Sequence, residues 1–231
     1  MTKNKNRILV IAAHPDDEVL GCGGTIAKYV KSGSKVFCLL LGKGKSSRRK
    51  SNLEKEQALL RKEAQRSVKI LGISKIFFEN FPDQRYDKVP LLKIIKAIEK
   101  IKEEIKPDIV FTHHFGDLNK DHRITYEAVM TAFRPLPGET AREIYSFEIP
   151  SSTEWGFPKR KTYFVPNVFV DISNTFYRKI NALKSYKIEI RKFPHPRSSE
   201  GVKILAQKRG MEVGLNYAEA FELIRGIKKG S

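Results

Sequence analysis

The chain has 231 residues, 40% of them hydrophobic, and 44 Lys and Arg against 26 Asp and Glu give a formal net charge of +18. That apolar share excludes disorder of the whole chain and fits one large α/β domain. With two cysteines there is no disulfide framework, and no apolar run is long enough for a membrane span; a cytoplasmic protein without a signal peptide is expected.

Residues 8–13 form an apolar run, read as a strand buried on both faces, and it stops at His14-Pro15-Asp16-Asp17-Glu18. Proline ends a ladder, so an imidazole and three acids arrive at the carboxyl end of a strand, where ligands bind in open α/β sheets. The next segment reads as a helix closed by Gly33. Its Gly21, Gly23 and Gly24 fail the dinucleotide fingerprint, because Ile26 stands where the third glycine belongs and three acids precede them. Close packing of that helix on the sheet is their expected use. Residues 35–41 are a second strand, followed by the densest basic run, 43–50, and a helical pattern over about 52–71. A strand at 73–79, a polar aromatic loop at 80–88, a helix at 90–105 and a fourth strand at 109–112 continue the alternation. Such alternation predicts an α/β fold, a mostly parallel sheet with right-handed crossovers and flanking helices.

Beyond residue 135 the pattern loosens. Strands are expected at 143–149, 168–172 and 217–224, with helices over 173–191 and up to about 210. A rigid turn, Phe193-Pro194-His195-Pro196-Arg197, separates the two helices. The whole chain, 1–231, reads as a single domain, with a core at 6–135 and a C-terminal αβ extension at 136–231. Its Lys and Arg are scattered, without a recognition helix or stacking aromatics, so they read as a solvated surface rather than a specific nucleic-acid footprint.

The fourth strand ends as the first does, in polar residues: His113-His114-Phe115-Gly116-Asp117-Leu118-Asn119-Lys120-Asp121-His122. In a parallel sheet both strand ends share an edge, so the two clusters are expected to converge. His14 and Asp17, three apart, come onto one face of a helical turn, and His122 completes two histidines and one carboxylate. Three protein ligands with an open position mark a catalytic, water-activating metal site. Zinc fits best, and non-haem Fe(II) accepts the same set. Asp16 remains free to take a proton, and Asp121 to orient a ligand.

Ala13-His14-Pro15-Asp16-Asp17-Glu18 closely resembles the signature of the PIG-L/LmbE-like family of zinc-dependent N-deacetylases, and Asn119-Lys120-Asp121-His122 resembles its second metal motif. The resemblance extends to Phe81-Pro82-Asp83-Gln84-Arg85 and the turn at 193–197. It implies a Rossmann-like fold, one zinc ion on His14, Asp17 and His122, Asp16 as general base, and N-acetylglucosamine-type substrates. It also implies a trimer or hexamer. One departure stands out: several members carry a histidine where this chain has Asn119, and an amide donates a hydrogen bond but no proton. The proton must then come from Asp16 after its first step or from another imidazole, with His195 the first candidate and His114 the second. Asp83, Arg85, Arg197 and Trp155 are the candidate substrate contacts. A basic nucleic-acid or anionic-surface binder with a structural metal is the alternative from a different class.

Overall fold

The structure, a computed structural model, describes residues 5–44, 53–156 and 162–228. Seven strands form one sheet: β1 (Arg7–Ala12), β2 (Lys35–Gly42), β3 (Lys75–Phe81), β4 (Ile109–His113), β5 (Glu143–Phe147), β6 (Val168–Asp171) and β7 (Ala218–Gly226). Their order is β3-β2-β1-β4-β5-β7-β6; the first five are parallel, and β7 runs antiparallel between β5 and β6. The helices are α1 (Asp17–Lys31), α2 (Leu53–Leu71), α3 (Leu91–Ile105), α4 (Lys120–Ala132), α5 (Phe176–Leu183) and α6 (Ser199–Met211).

Strand periodicity divides the core into two layers. Ile8, Val10 and Ala12 of β1 pack with residues of α1, α2, α5 and α6, while Leu9 and Ile11 pack with residues of α3 and α4. Helices thus cover both faces, as parallel strands buried on both sides require. The glycines of α1 serve this packing: a Cβ on Gly21 would strike the Phe147 ring, and one on Gly24 would come within 2.8 Å of Ile172.

α1 is interrupted at Cys22, whose φ of −146° leaves the helical region. The break frees backbone groups in the core. Glu219 of β7 accepts the N–H groups of Gly24 and Thr25 at 2.9 and 2.7 Å, and Lys179 of α5 donates to the Leu20 carbonyl at 2.8 Å. Lys179 and Glu219 pair at 2.6 Å, so a buried ion pair replaces the missing helical bonds.

The C-terminal strands join the sheet of the core rather than forming a separate one. The helix expected over 173–191 is shorter, ending at Leu183. Tyr186 is drawn onto buried Glu18, with a hydroxyl-to-carboxylate bond of 2.5 Å, and the chain turns away from the helical path. β3 lies two residues later than expected. Of the basic run at 43–50, residues 45–50 lie outside the described residues.

Candidate active site

β1 and β4 are hydrogen-bonded neighbours at the point where the strand order reverses, so a crevice opens at their carboxyl ends. His14 and Asp17 leave β1 into α1, and His122 lies on the first turn of α4. Asn119 caps that helix by accepting the Asp121 N–H at 2.9 Å, which fixes where the first turn begins. Tyr86 donates its hydroxyl to the Ala13 carbonyl at 2.7 Å and anchors the strand exit before His14.

One ligand atom from each of His14, Asp17 and His122 lies within 4.8 Å of the others. Asp17 Oδ2 is 3.3 Å from His14 Nδ1 and 3.3 Å from His122 Nε2. The opposite nitrogens face carboxylates: His14 Nε2 is 3.0 Å from Asp121 and 3.1 Å from Asp83, and His122 Nδ1 is 3.1 Å from Asp117. Carboxylates behind imidazoles are what orients histidines toward a metal. Asp17 Oδ1 and both ring nitrogens of His122 are buried without a hydrogen bond, the Nδ1 contact with Asp117 being a charge pair only. Buried polar atoms are rarely left unsatisfied, and this donor set fits a divalent cation. His14, Asp83 and Asp121 also lie close enough to share an ion, but Asp121 is already engaged by the N–H groups of Gln84 and Tyr86 at 2.7 and 3.0 Å.

The electrostatics follow from burial and carboxylate density. Burial disfavours charge on His14, yet Asp121, Asp17 and Asp83 outweigh it and raise its pKa to about 10. For His122 the same contest, with Asp17 and Asp117, ends at about 9. Burial pushes Asp16 well above the usual carboxylate range, opposed by Arg197. His113 goes the other way: burial and the neighbouring His122 hold it well below 6.5. It accepts the Ala13 N–H on Nε2 at 2.8 Å and stacks on the His122 ring at 4.0 Å, a packing and anchoring position. Glu18, raised by burial to about 7, does not line the crevice; it accepts the Asp16 N–H at 3.1 Å.

A cavity of about 330 Å³ opens over the cluster, lined by His14, Asp16, Asp83, Asn119, Trp155, His195 and Arg197. Arg197 reaches Asp16 at 3.2 Å and is held by the Pro150 carbonyl and Ser151 Oγ at 3.2 and 2.9 Å. Of the expected catalytic and substrate-contact residues, two are not brought to the cavity, and Asp17, His122 and Asp121 lie beneath its lining. His114 is buried with its ring nitrogens against Glu222 and the Thr162 carbonyl, at 2.9 and 3.0 Å, because Glu222 of β7 lies beside the exit of β4. Arg85 is exposed on the turn that presents Asp83 and lies outside the lining. Gln84, Ser151, Glu189 and Arg191 line the cavity without having been expected, and Asp117 stands behind His122. For Asp117 the available signal was an acid in the same polar loop as a ligand candidate. Glu189 and Arg191 fall where a helix was expected and carried no motif.

Residues 9–133 match the model of the family described as PIG-L, GlcNAc-PI de-N-acetylase. The chain belongs to the PIG-L family. An Escherichia coli protein named as an uncharacterized deacetylase is 32% identical over 80% of this chain and 92% of its own length. A diacetylchitobiose deacetylase of Thermococcus kodakarensis is 29% identical over 96% of this chain and 84% of its own. Among solved structures, the N,N'-diacetylchitobiose deacetylase of Pyrococcus horikoshii superposes with a TM-score of 0.78 at 24% identity, covering 97% of this chain and 85% of the other. A 4-carboxy-2-hydroxymuconate hydratase of Pseudomonas putida superposes at 0.77 with 22% identity, covering 98% of this chain and 99% of the other. These structural likenesses show the fold, and the second shows that the fold alone names no reaction. The PIG-L relatives are named deacetylases, and the chain is accordingly a hydrolase of the N-deacetylase class.

Proposed function

We propose that this PIG-L member removes an acetyl group from the N-acetylated amine of an amino sugar or glycoconjugate, with one zinc ion per chain held by His14, Asp17 and His122. The observation that carries the reading is the set of unsatisfied buried atoms, Asp17 Oδ1 and the ring nitrogens of His122, in a cluster whose outer nitrogens lie near carboxylates. Zinc in this position supplies Lewis acidity toward the amide oxygen and lowers the pKa of a water.

The residues around it divide the remaining work. Asp16, aimed into the cavity by Arg197, accepts the proton of the attacking water. Asn119 uses its side-chain oxygen to cap α4, so its amide N–H groups are left as donors toward the substrate oxygen. His195 accepts the Arg197 backbone N–H on Nδ1 at 3.1 Å, which puts its ring proton on Nε2. Burial, with Arg191 and Arg197 nearby, lowers its pKa below 6.5, so at neutral pH it offers a hydrogen bond rather than a proton. Asp16, protonated in the first step, then returns that proton to the departing amine. Water adds, the C–N bond breaks, and acetate and free amine leave.

The cavity is at the small end of ligand sites, which span about 300–1,000 Å³, and matches a single sugar unit. Trp155, half exposed at its wall, offers an aromatic face to a sugar ring, and Asp83 an acceptor for a hydroxyl. The named substrate of the Thermococcus relative, diacetylchitobiose, is of this class.

The test is acetate release across a panel of N-acetylglucosamine compounds, with metal content measured on the same samples. Asp16→Ala is expected to keep its metal and lose about 10²–10⁴-fold in rate. His14→Ala and His122→Ala are expected to lose the metal and the activity together. Full activity in metal-loaded Asp16→Ala contradicts the assignment. Reconstitution with Zn²⁺ against Fe²⁺ decides between the two ions that this donor set accepts.

A further inference from the structure

Asp117 holds together two parts of the site that are far apart in sequence. Its buried carboxylate meets His122 Nδ1 at 3.1 Å and accepts the Asn119 N–H at 2.8 Å. The same carboxylate accepts hydroxyl bonds from Ser152, on Oδ1, and from Thr153, on Oδ2 at 2.7 Å. Against burial, which opposes ionisation, His122 and these hydroxyls hold Asp117 well below the usual carboxylate range. Ser152 and Thr153 belong to the loop after β5 that gives Ser151 and Trp155 to the cavity wall. Thr153 Oγ1 also accepts the Ile149 N–H at 2.8 Å, and the Leu118 N–H reaches the Ser152 carbonyl at 3.3 Å. Ser151, with a φ of 63°, is in a left-handed conformation that serine rarely adopts, and its hydroxyl accepts from Arg197, the partner of Asp16.

We propose that Asp117 is a positioning residue that couples the metal ligand His122 to the loop bearing Ser151 and Trp155, so that metal binding orders the substrate wall of the cavity. The proposal rests on the reading of His14, Asp17 and His122 as metal ligands. The physical basis is a shared carboxylate. A cation on Nε2 of an imidazole polarises the ring and strengthens the donor at Nδ1, which draws Asp117 onto His122 and fixes it there. A carboxylate so fixed presents both oxygens to Ser152 and Thr153 in one geometry. Coupling of this kind is reciprocal, so a ligand that orders the loop tightens metal binding by the same factor.

The chain's one tryptophan, Trp155, lies on this loop with its ring centroid 6.0 Å from that of His195, so intrinsic fluorescence reports the loop directly. The experiment titrates chelator-stripped full-length protein with Zn²⁺ against a competing indicator and follows tryptophan emission. In the wild type, emission changes in step with zinc occupancy. In Asp117→Asn, zinc affinity falls by about 10–100-fold, and emission stays unchanged even at full occupancy. A purely structural Asp117 would lower the melting temperature and leave affinity and the emission response at wild-type values, which overturns the proposal. Should Asp117→Asn fail to fold, the Ser152→Ala/Thr153→Val double variant carries the test, because it keeps the Asp117–His122 contact. It is expected to bind zinc, weakened only by the factor that the coupling contributes, with a silent Trp155, and an unaltered emission response overturns the coupling. Wild-type protein that binds zinc with a silent Trp155 overturns the coupling alone; wild-type protein that binds no zinc overturns the metal reading with it.

Discussion

Asp16 sits at φ 105°, a backbone conformation that costs a non-glycine residue free energy and survives only where its surroundings enforce it. Glu18 holds its N–H and Arg197 its carboxylate, and the result is an acid aimed into the cavity beside the ligand candidates His14 and Asp17. Arg197→Met is therefore expected to lower kcat more than it raises KM, by about 10-fold or more, since it releases the base rather than the substrate. Steady-state kinetics on the best substrate checks this; an unchanged kcat with a raised KM would make Arg197 a substrate contact instead. His195→Gln retains an N–H donor and is expected to stay within about 10-fold of the wild-type rate, whereas His195→Ala loses about 10²-fold. Equal losses in both variants would restore a proton-transfer role to the imidazole. His14, Asp16, Asp17, Asp121 and His122 were legible in the sequence because each stands in a short motif at a strand end. Asp117, Glu189 and Arg191 were not, because their roles come from contacts made across the fold. Arg197 was legible as a candidate substrate contact, but its pairing with Asp16, 181 positions away, was visible only in three dimensions.

Among the elements, α1 shows how a helix can be broken in a core without leaving backbone groups unsatisfied. Its first turn carries Asp17, its interruption at Cys22 is bridged by Glu219 and Lys179, and its glycines let it lie against Phe147 and Ile172. Removing one partner of a buried ion pair leaves an uncompensated charge, so Glu219→Ala is expected to destabilise the fold by about 3–5 kcal/mol. Urea unfolding with an unchanged m-value measures it; a loss under about 1 kcal/mol would mean that the kink does not depend on the pair. Strand periodicity and the strand–helix alternation made the parallel half of the sheet readable, including close packing by Gly21 and Gly24. The antiparallel placement of β7 between β5 and β6 was not readable, since alternation within a strand carries no information about its neighbour. The helix expected over 173–191 ended early for a tertiary reason, the attachment of Tyr186 to Glu18.

At the scale of the molecule, the parallel strands deliver both halves of the cluster to one edge, and the C-terminal segments close over it. The turn at 193–197 and the loop after β5 supply His195, Arg197, Ser151 and Trp155 to a site whose ligand candidates all come from the first 122 residues. The family match covers residues 9–133, so the part of the cavity wall formed by Ser151, Trp155, Glu189, Arg191, His195 and Arg197 lies beyond it. Among the described residues no helix is long and apolar enough to cross a membrane. The charge of +18 is carried by scattered side chains, and a salt-sensitive electrophoretic shift with duplex and single-stranded nucleic acid would be needed to give it a binding role. The most direct test of the account is acetate release from N-acetylglucosamine compounds by the full-length chain, before and after chelation and with Zn²⁺ restored. The predicted result is stoichiometric acetate and free amine, lost on chelation and recovered at one zinc per chain. Hydrolysis that survives complete removal of metal, or no hydrolysis of any N-acetylated sugar by zinc-loaded protein, would contradict it.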